Sequence, residues 1–164
     1  MYSPCSILAL SFSPPPASLQ PNYPQAYYNM GIALQEQRNL DEAIIAYKNA
    51  IAVKSDYYDA FNNLAGIYKR LGDWNKAIEY YQTACDISPN SYEAINNLAN
   101  IFQEKGDLEN AHKFYEKAIK IQPESPDIYL NIGVNQKRKG NYSQAIAAYK
   151  KALEINVNFP EAYY

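Results

Sequence analysis

The sequence contains one histidine and two cysteines, and this scarcity excludes several kinds of site. Two cysteines cannot form a disulfide framework or a cysteine-based metal site. No cysteine or serine is placed to act with His112 as a nucleophile, and we expect that histidine to face solvent. Glycine-rich phosphate-binding loops are also missing. We therefore predict a protein that is not an enzyme and that carries no catalytic residue, metal or cofactor.

The chain also lacks a large net charge and a long apolar run. Its formal charge is −2 at pH 7, which argues against nucleic acid as a partner, because a phosphate backbone requires a basic surface. No apolar stretch is long enough to span a bilayer, so we expect no membrane association. Residues 7–12 are mostly apolar, but no Lys or Arg precedes them, unlike a secretory signal. We predict a cytoplasmic location.

Residues 1–23 differ in composition from the rest of the chain. No charged side chain occurs before Glu36, and six of the ten prolines lie at or before Pro24. Consecutive prolines such as those at 14–16 favour an extended polyproline conformation that cannot join a helix. We predict that residues 1–23 are a proline-rich, uncharged and disordered leader. A wrongly assigned start of the reading frame is the other interpretation of this composition.

The remainder of the sequence repeats itself every 34 residues. We divide it into four repeats, at 24–57, 58–91, 92–125 and 126–159, and residues 160–164 begin a fifth that is cut short. Position 8 of the repeat is always small: Gly31, Ala65, Ala99, Gly133. Positions 20 and 27 are always alanine: Ala43, Ala77, Ala111, Ala145 and Ala50, Ala84, Ala118, Ala152. Position 24 is always tyrosine: Tyr47, Tyr81, Tyr115, Tyr149.

This period and these positions resemble the tetratricopeptide repeat (TPR) family over 136 of the 164 residues. The resemblance implies an all-α fold in which antiparallel helix hairpins stack into a right-handed superhelical solenoid. First helices would line a concave groove. Because isolated helices of this length are marginal in water, we expect stability to come from stacking one repeat on the next.

Each hairpin follows a common plan at the sequence level. Glycine followed by Asp or Asn separates the two helices, because glycine adopts the left-handed conformation and Asp or Asn caps the next helix. The first repeat has Arg38-Asn39 instead, so its turn should keep the cap without the glycine. Pro89 and Pro123 should end their second helices more sharply than Ser55 and Val157 do in the first and fourth repeats.

We expect the small residues at position 8 to face the alanines at position 20 across each hairpin. Larger residues at position 7 would fill the space around this seam, together with the tyrosines: Met30, Leu64, Leu98, Ile132. Cys85 lies at the end of a second helix, where a small buried residue fits.

Position 6 is asparagine in every repeat, which predicts a ladder of amides along the groove: Asn29, Asn63, Asn97, Asn131. An amide both donates and accepts hydrogen bonds, so such a ladder can hold the backbone of an extended peptide. Ordinary packing is an equally strong explanation. Other residues expected to line the groove are Tyr28, Asn62, Asn96, Leu130 and Asn100.

Charged residues should flank the groove, although surface charge often only solvates a protein. Acidic side chains at position 2 would form one edge, from Asp59, Glu93, Asp127 and Glu161, with Gln25 in the first repeat. Positions 12 and 13 alternate between Gln-Glu and a basic pair, which offers two sets of basic contacts: Lys69, Arg70, Lys137, Arg138.

These patterns leave three functions open. The leading hypothesis is a scaffold that binds an extended peptide or a partner helix in its groove. The NNLA motifs at 62–65 and 96–99 resemble the repeat domain of O-GlcNAc transferases and SPINDLY-type proteins, which implies a segment that presents polypeptide to a catalytic domain. The chaperone-tail clamps of the family carry lysine where this chain has Tyr28, so that subfamily is disfavoured.

The third hypothesis is an assembly unit that acts through its ends. Ile146, Tyr149 and Leu153 should be exposed on the last second helix, where a further repeat would pack. We therefore expect self-association through this C-terminal end.

Overall fold

The computed structural model describes residues 23–156, and within this range the chain forms eight α-helices and no strand. Helices of 13 and 14 residues alternate, which reproduces the period of the sequence. The helices are α1 (Pro24–Glu36), α2 (Leu40–Val53), α3 (Tyr58–Arg70), α4 (Trp74–Ile87), α5 (Tyr92–Glu104), α6 (Leu108–Ile121), α7 (Pro126–Arg138) and α8 (Tyr142–Ile155). The predicted leader up to residue 22 and the start of the fifth repeat lie outside the described residues.

The turn inside each hairpin contains one residue in the left-handed conformation. Gly72, Gly106 and Gly140 have φ angles of 76°, 85° and 82°, and Arg38 takes the same conformation in the first repeat with a φ of 64°. In this conformation the Cβ of a non-glycine residue lies too close to the following carbonyl oxygen, and glycine avoids this clash because it has no Cβ. The repeat geometry therefore imposes the turn even where the sequence does not provide glycine.

Side-chain caps are present in only two of the four turns. Asp73 and Asp107 each accept a hydrogen bond from the backbone N–H three residues later, at 3.2 Å. The side chains of Asn39 and Asn141 make no such bond. The prediction that the first repeat keeps its cap is therefore wrong, and the asparagine of the fourth repeat is not a side-chain cap either.

The second helices end at the same repeat position with or without a following proline. α2 ends at Val53, as α4 ends at Ile87 before Pro89. In both helices the next residue donates its backbone N–H to the carbonyl of the alanine at position 27, at 2.9 Å. The expectation of a less defined junction after the first repeat is therefore wrong. Val157, the corresponding residue of the fourth repeat, lies outside the described residues.

The seam inside each hairpin is tightly packed. The alanines at position 20 are buried, as predicted. The nearest atoms to a Cβ built on Gly31 belong to the ring of Tyr47. The nearest atoms to a Cβ built on Gly133 belong to the ring of Tyr149. The glycines at position 8 therefore lie against the tyrosines at position 24, which were expected to fill the space around this seam. Glycine leaves room there for a whole ring.

Stacking of successive repeats forms the apolar core. Leu64 and Leu98 are fully buried, as are the isoleucines three residues further along their helices. Cys85 is buried as expected. Met30, predicted to fill the same space as Leu64 and Leu98, is 46% exposed. The reason is that no earlier helix of the described chain packs on that side of α1.

Candidate peptide-binding face

Consecutive first helices lie side by side and are joined by polar contacts. Asn63 on α3 donates to the hydroxyl of Tyr28 on α1 at 3.2 Å. Lys69 on α3 forms an ion pair with Glu104 on α5 at 2.8 Å. Asn131 on α7 donates to the amide oxygen of Asn96 on α5 at 3.2 Å. One surface of the stack is thus made by α1, α3, α5 and α7, and we call it the first-helix face.

The four asparagines at position 6 have four different environments. Asn29 is exposed and accepts a hydrogen bond from Gln25 at 2.9 Å. Besides Tyr28, Asn63 also donates to the hydroxyl of Tyr47 at 3.3 Å. Asn97 is half-buried, and its side chain forms no hydrogen bond with another described residue. Asn63 and Asn131 therefore help to hold neighbouring repeats together, whereas the amide of Asn97 has no hydrogen-bond partner between residues 23 and 156.

The neighbouring groove residues are also partly engaged. Asn62 donates to Glu93 at 3.2 Å, while its Oδ1 is buried without a partner among the described residues. Asn100 accepts a 2.6 Å hydrogen bond from the hydroxyl of Tyr115. Leu130 is half-buried. The side-chain amides of Asn62 and Asn100 are thus oriented by hydrogen bonds to their neighbours, in contrast to the amide of Asn97.

An aromatic cluster occupies the N-terminal end of the face. The ring of Tyr28 lies 5.1 Å from that of Tyr57 and 5.8 Å from that of Tyr47, measured between centroids. Tyr57 donates its hydroxyl hydrogen to Gln25 at 2.7 Å. Burial raises the pKa of Tyr28, and the nearby carboxylate of Asp59 adds to the effect. This end of the face is therefore formed by packed tyrosine rings whose hydroxyls are hydrogen-bonded, with the carboxylate of Asp59 close by.

The four basic residues expected along the groove divide into two pairs. Lys69 is neutralised by Glu104, and the guanidinium of Arg138 donates to the backbone carbonyl of Gln103 at 2.5 Å. Arg70 and Lys137 are exposed and form neither an ion pair nor a side-chain hydrogen bond with a described residue. The carboxylates at position 2 are exposed on Asp59, Glu93 and Asp127, whereas Glu161 lies outside the described residues.

The sequence reasoning missed the hydroxyls of the position-24 tyrosines. It treated these tyrosines as packing residues, but Tyr47 donates to Gln35 at 3.2 Å while accepting from Asn63. Burial raises the pKa of Tyr47 to about 12, opposed by the hydrogen bond from Asn63. Asparagine at position 6 together with tyrosine at position 24 was the available signal, and the two positions bond to each other at Asn63 and Tyr47.

The fourth repeat carries a buried polar pair that was also missed. Asn135 is fully buried and Gln136 nearly so, at positions where the second repeat has Ile67 and Tyr68. Gln136 approaches His112 Nδ1 at 3.4 Å. His112 also lies 3.5 Å from Glu116 and is only 28% exposed, so the expectation that it faces solvent is wrong. The next first helix covers it.

Between residues 23 and 156, His, Cys, Asp and Glu side chains form no group that could hold a metal ion. No helix in the same range is both long and apolar enough to cross a bilayer.

Comparison with known proteins agrees with this geometry. A family model described as Tetratricopeptide repeat matches residues 22–90, 56–124 and 91–156. The chain therefore belongs to the tetratricopeptide repeat family, and its fold is the solenoid of helix hairpins that the period predicted. No protein in a curated collection matches the sequence significantly.

Several solved structures share the fold. A crystal structure of MamA is 24% identical, with a TM-score of 0.78 over 90% of this chain and 85% of that one. YrrB, described as a TPR protein with an unusual peptide-binding site, is 23% identical, with a TM-score of 0.76 over 87% of this chain and 73% of that one. Pseudomonas aeruginosa PilF is 22% identical, with a TM-score of 0.76 over 85% and 64%.

Proposed function

We propose that this protein is a non-catalytic scaffold that binds an extended peptide along its first-helix face. Tetratricopeptide repeats and the neighbouring structures, one of them named for a peptide-binding site, support a role in protein interaction. The observation that carries the finer proposal is a set of side chains on this face that form no hydrogen bond or ion pair with a described residue: Asn97, Arg70, Lys137, Asp59 and Asp127. Along each first helix the acidic residues at position 2 and the basic residues at positions 12 and 13 lie toward opposite ends, and position 6, which is Asn97 in the third repeat, lies between them.

These groups suit a peptide whose backbone bonds to the central amide. A side-chain amide can donate and accept, which matches the alternating carbonyl and N–H groups of an extended chain. Charges on the two edges would favour one orientation of a peptide with acidic and basic residues on opposite sides, since charge complementarity sets register. Asn63 and Asn131 would contribute indirectly, by fixing the neighbouring repeats.

A panel of labelled, unstructured peptides with different orders of acidic and basic residues tests this proposal by fluorescence anisotropy. We expect binding to depend on charge order and to weaken severalfold in Asn97→Ala, because one pair of hydrogen bonds is lost. Arg70→Glu should reduce affinity mainly for peptides with acidic residues. Gln82→Ala, an exposed change on α4, is the control. Equal binding by all variants would show that the peptide binds outside the first-helix face. No binding by any of them would contradict the proposed function.

The glycosyltransferase hypothesis leads to a different experiment. The NNLA motifs favour it together with the asparagine at position 6 of every repeat and the uniform 34-residue spacing, and both second asparagines of the motifs sit on the first-helix face. If the chain presents polypeptide to such an enzyme, a catalytic domain should follow in the genomic sequence or bind in trans. Reading the downstream sequence separates the two functions. The proposed cytoplasmic location rests on sequence composition alone.

A role in assembly through the ends is the remaining candidate. Ile146 is 55% exposed on α8, as predicted for the C-terminal end. Tyr149 and Leu153, expected to be exposed with it, are half-buried. In the assembly role, substitutions on the first-helix face would leave the interactions of the protein unchanged.

A further inference from the structure

The last helix of the described residues, α8, presents an apolar surface whose counterparts on α2 and α4 are more deeply buried. Tyr142 and Ile146 are 65% and 55% exposed. Residues at the same two positions of α2 and α4 are half-buried beneath the following first helix, among them Trp74 and Ile78. We call the surface formed by Tyr142, Ile146 and Leu153 the tail face.

The first helix presents the matching half of the same interface. Ala26, Met30 and Ala33 of α1 are all exposed, and we call them the head face. Their counterparts on α3 are Ala60, Leu64 and Ile67, and on α5 Ala94, Leu98 and Ile101, all of which are fully buried. Like these inner helices, the head face has alanine at position 3 and a large apolar residue at position 7. It therefore has the pattern that an inner junction buries.

Charged residues at the edge of this junction also match. The inner ion pair joins Lys69, at position 12 of the second repeat, to Glu104, at position 13 of the third. The fourth repeat has Lys137 at position 12, and the first has Glu36 at position 13. Both are exposed, and neither forms an ion pair within residues 23–156. Placing α1 of a second copy against α7 and α8 would bring these two charges together as Lys69 and Glu104 are.

We propose that two copies of this chain associate head to tail, with the head face of one on the tail face of the other. The junction repeats the internal packing of α3 on α2 and adds an ion pair between Lys137 and Glu36 of the second copy. Because the two faces differ, an assembly of any length still exposes one head face and one tail face. Association is therefore open-ended. This inference deepens the assembly role named above. Lys137 belongs to both the proposed junction and the proposed peptide-binding face, so the apolar variants Met30→Lys and Ile146→Lys are the ones that separate association from peptide binding.

Analytical ultracentrifugation of the full chain over a range of concentrations tests the proposal. We expect a distribution of masses that grows with concentration. Met30→Lys removes the head face and Ile146→Lys the tail face, so each variant alone should be a monomer. A mixture of the two should form a one-to-one dimer and nothing larger, since one intact tail face meets one intact head face.

Ile45→Lys is the matched control for these variants. Ile45 is 47% exposed on α2, at a position where α4 and α6 carry Glu79 and Lys113. The Ile45→Lys variant should therefore associate like the parent. Lys137→Glu should weaken association, and combining it with Glu36→Lys should restore it. Circular dichroism establishes that every variant keeps its helices.

Two outcomes would overturn the proposal. One is a parent chain that stays monomeric at several hundred micromolar. In that case the tail face is either covered by residues outside the described range or left uncovered, and no second copy binds to it. A dimer of Met30→Lys on its own would indicate a symmetric contact between two tail faces. Peptide binding by the monomeric variants is measured separately, so the failure of either proposal is distinguishable from failure of the other.

Discussion

Gly31 lies directly against the ring of Tyr47, and a Cβ added to that glycine would stand 2.6 Å from Cε1 of the ring. Tyr47 is fully buried, and its hydroxyl bonds to Gln35 and Asn63. The ring therefore cannot move away without breaking contacts to its own hairpin and to the next repeat. This pair couples the packing of the first hairpin to the first-helix face.

Gly31→Ala should destabilise the protein even though alanine favours helices. The gain in helix propensity is about 1 kcal/mol, whereas overpacking a tight core typically costs about 1–3 kcal/mol. Gly66→Ala is the matched control, because its new Cβ would meet only the hydroxyl of Tyr81 at an ordinary 3.6 Å. That variant should gain up to about 1 kcal/mol. Urea unfolding compares the two, and equal effects would contradict the close contact.

Arg38→Gly should stabilise the first hairpin. Arg38 has a φ of 64°, which costs a non-glycine residue roughly 1–2 kcal/mol, partly offset by the larger unfolded-state entropy of glycine. We expect a net gain of up to about 1 kcal/mol in urea unfolding. Gly106→Ala is the reverse experiment, since nothing lies within 4 Å of its new Cβ, and it should lose about 1 kcal/mol. No gain in Arg38→Gly would mean that its side chain contributes other interactions.

Asn135→Ile should stabilise the junction between the third and fourth repeats. Asn135 is fully buried with its Oδ1 unpartnered among the described residues, and the equivalent residues Ile67 and Ile101 are fully buried in the same place. The change loses the 3.2 Å bond to the carbonyl of Leu108. Removing an unsatisfied buried acceptor outweighs this by about 1–2 kcal/mol. Thermal unfolding measures the gain, and a lower melting temperature would indicate that the polar pair is required for packing.

Alkaline pH should unfold the protein through its buried tyrosines. Burial raises the pKa of Tyr47 and of Tyr81 from 10.0 to about 12. The unfolded chain therefore ionises first, so their stability contribution is complete below pH 10 and is lost as the pH rises through 12. In Tyr47→Phe the free energy of unfolding should fall less steeply from pH 10 to 11, by up to about 1.4 kcal/mol. Parallel curves for parent and variant would contradict this assignment.

The eight helices and their order were predictable from the sequence. Four copies of one pattern at constant spacing specify one hairpin four times, and a repeat that cannot bury its own apolar side must stack on its neighbour. Helix ends followed the period even where local signals were missing, at Arg38 and after Val53. Stacking therefore overrides single turn residues.

The state of the candidate face was decided by tertiary structure. Repeat positions predict that Lys69 and Lys137, or Asn63 and Asn97, are equivalent, because a one-dimensional pattern shows only the repeat to which a residue belongs. In the folded chain Lys69 is paired with Glu104 and Asn63 is bonded to two tyrosines, while Lys137 and Asn97 lack such partners among the described residues.

The sequence by itself thus determined the family, the hairpins and their buried alanines, because these follow from the period and from side-chain volume. Only the tertiary structure decided which polar groups have partners, since the hydrogen bonds and the ion pair that join one first helix to the next connect residues 31 to 35 positions apart, whose neighbours differ from one junction to the next.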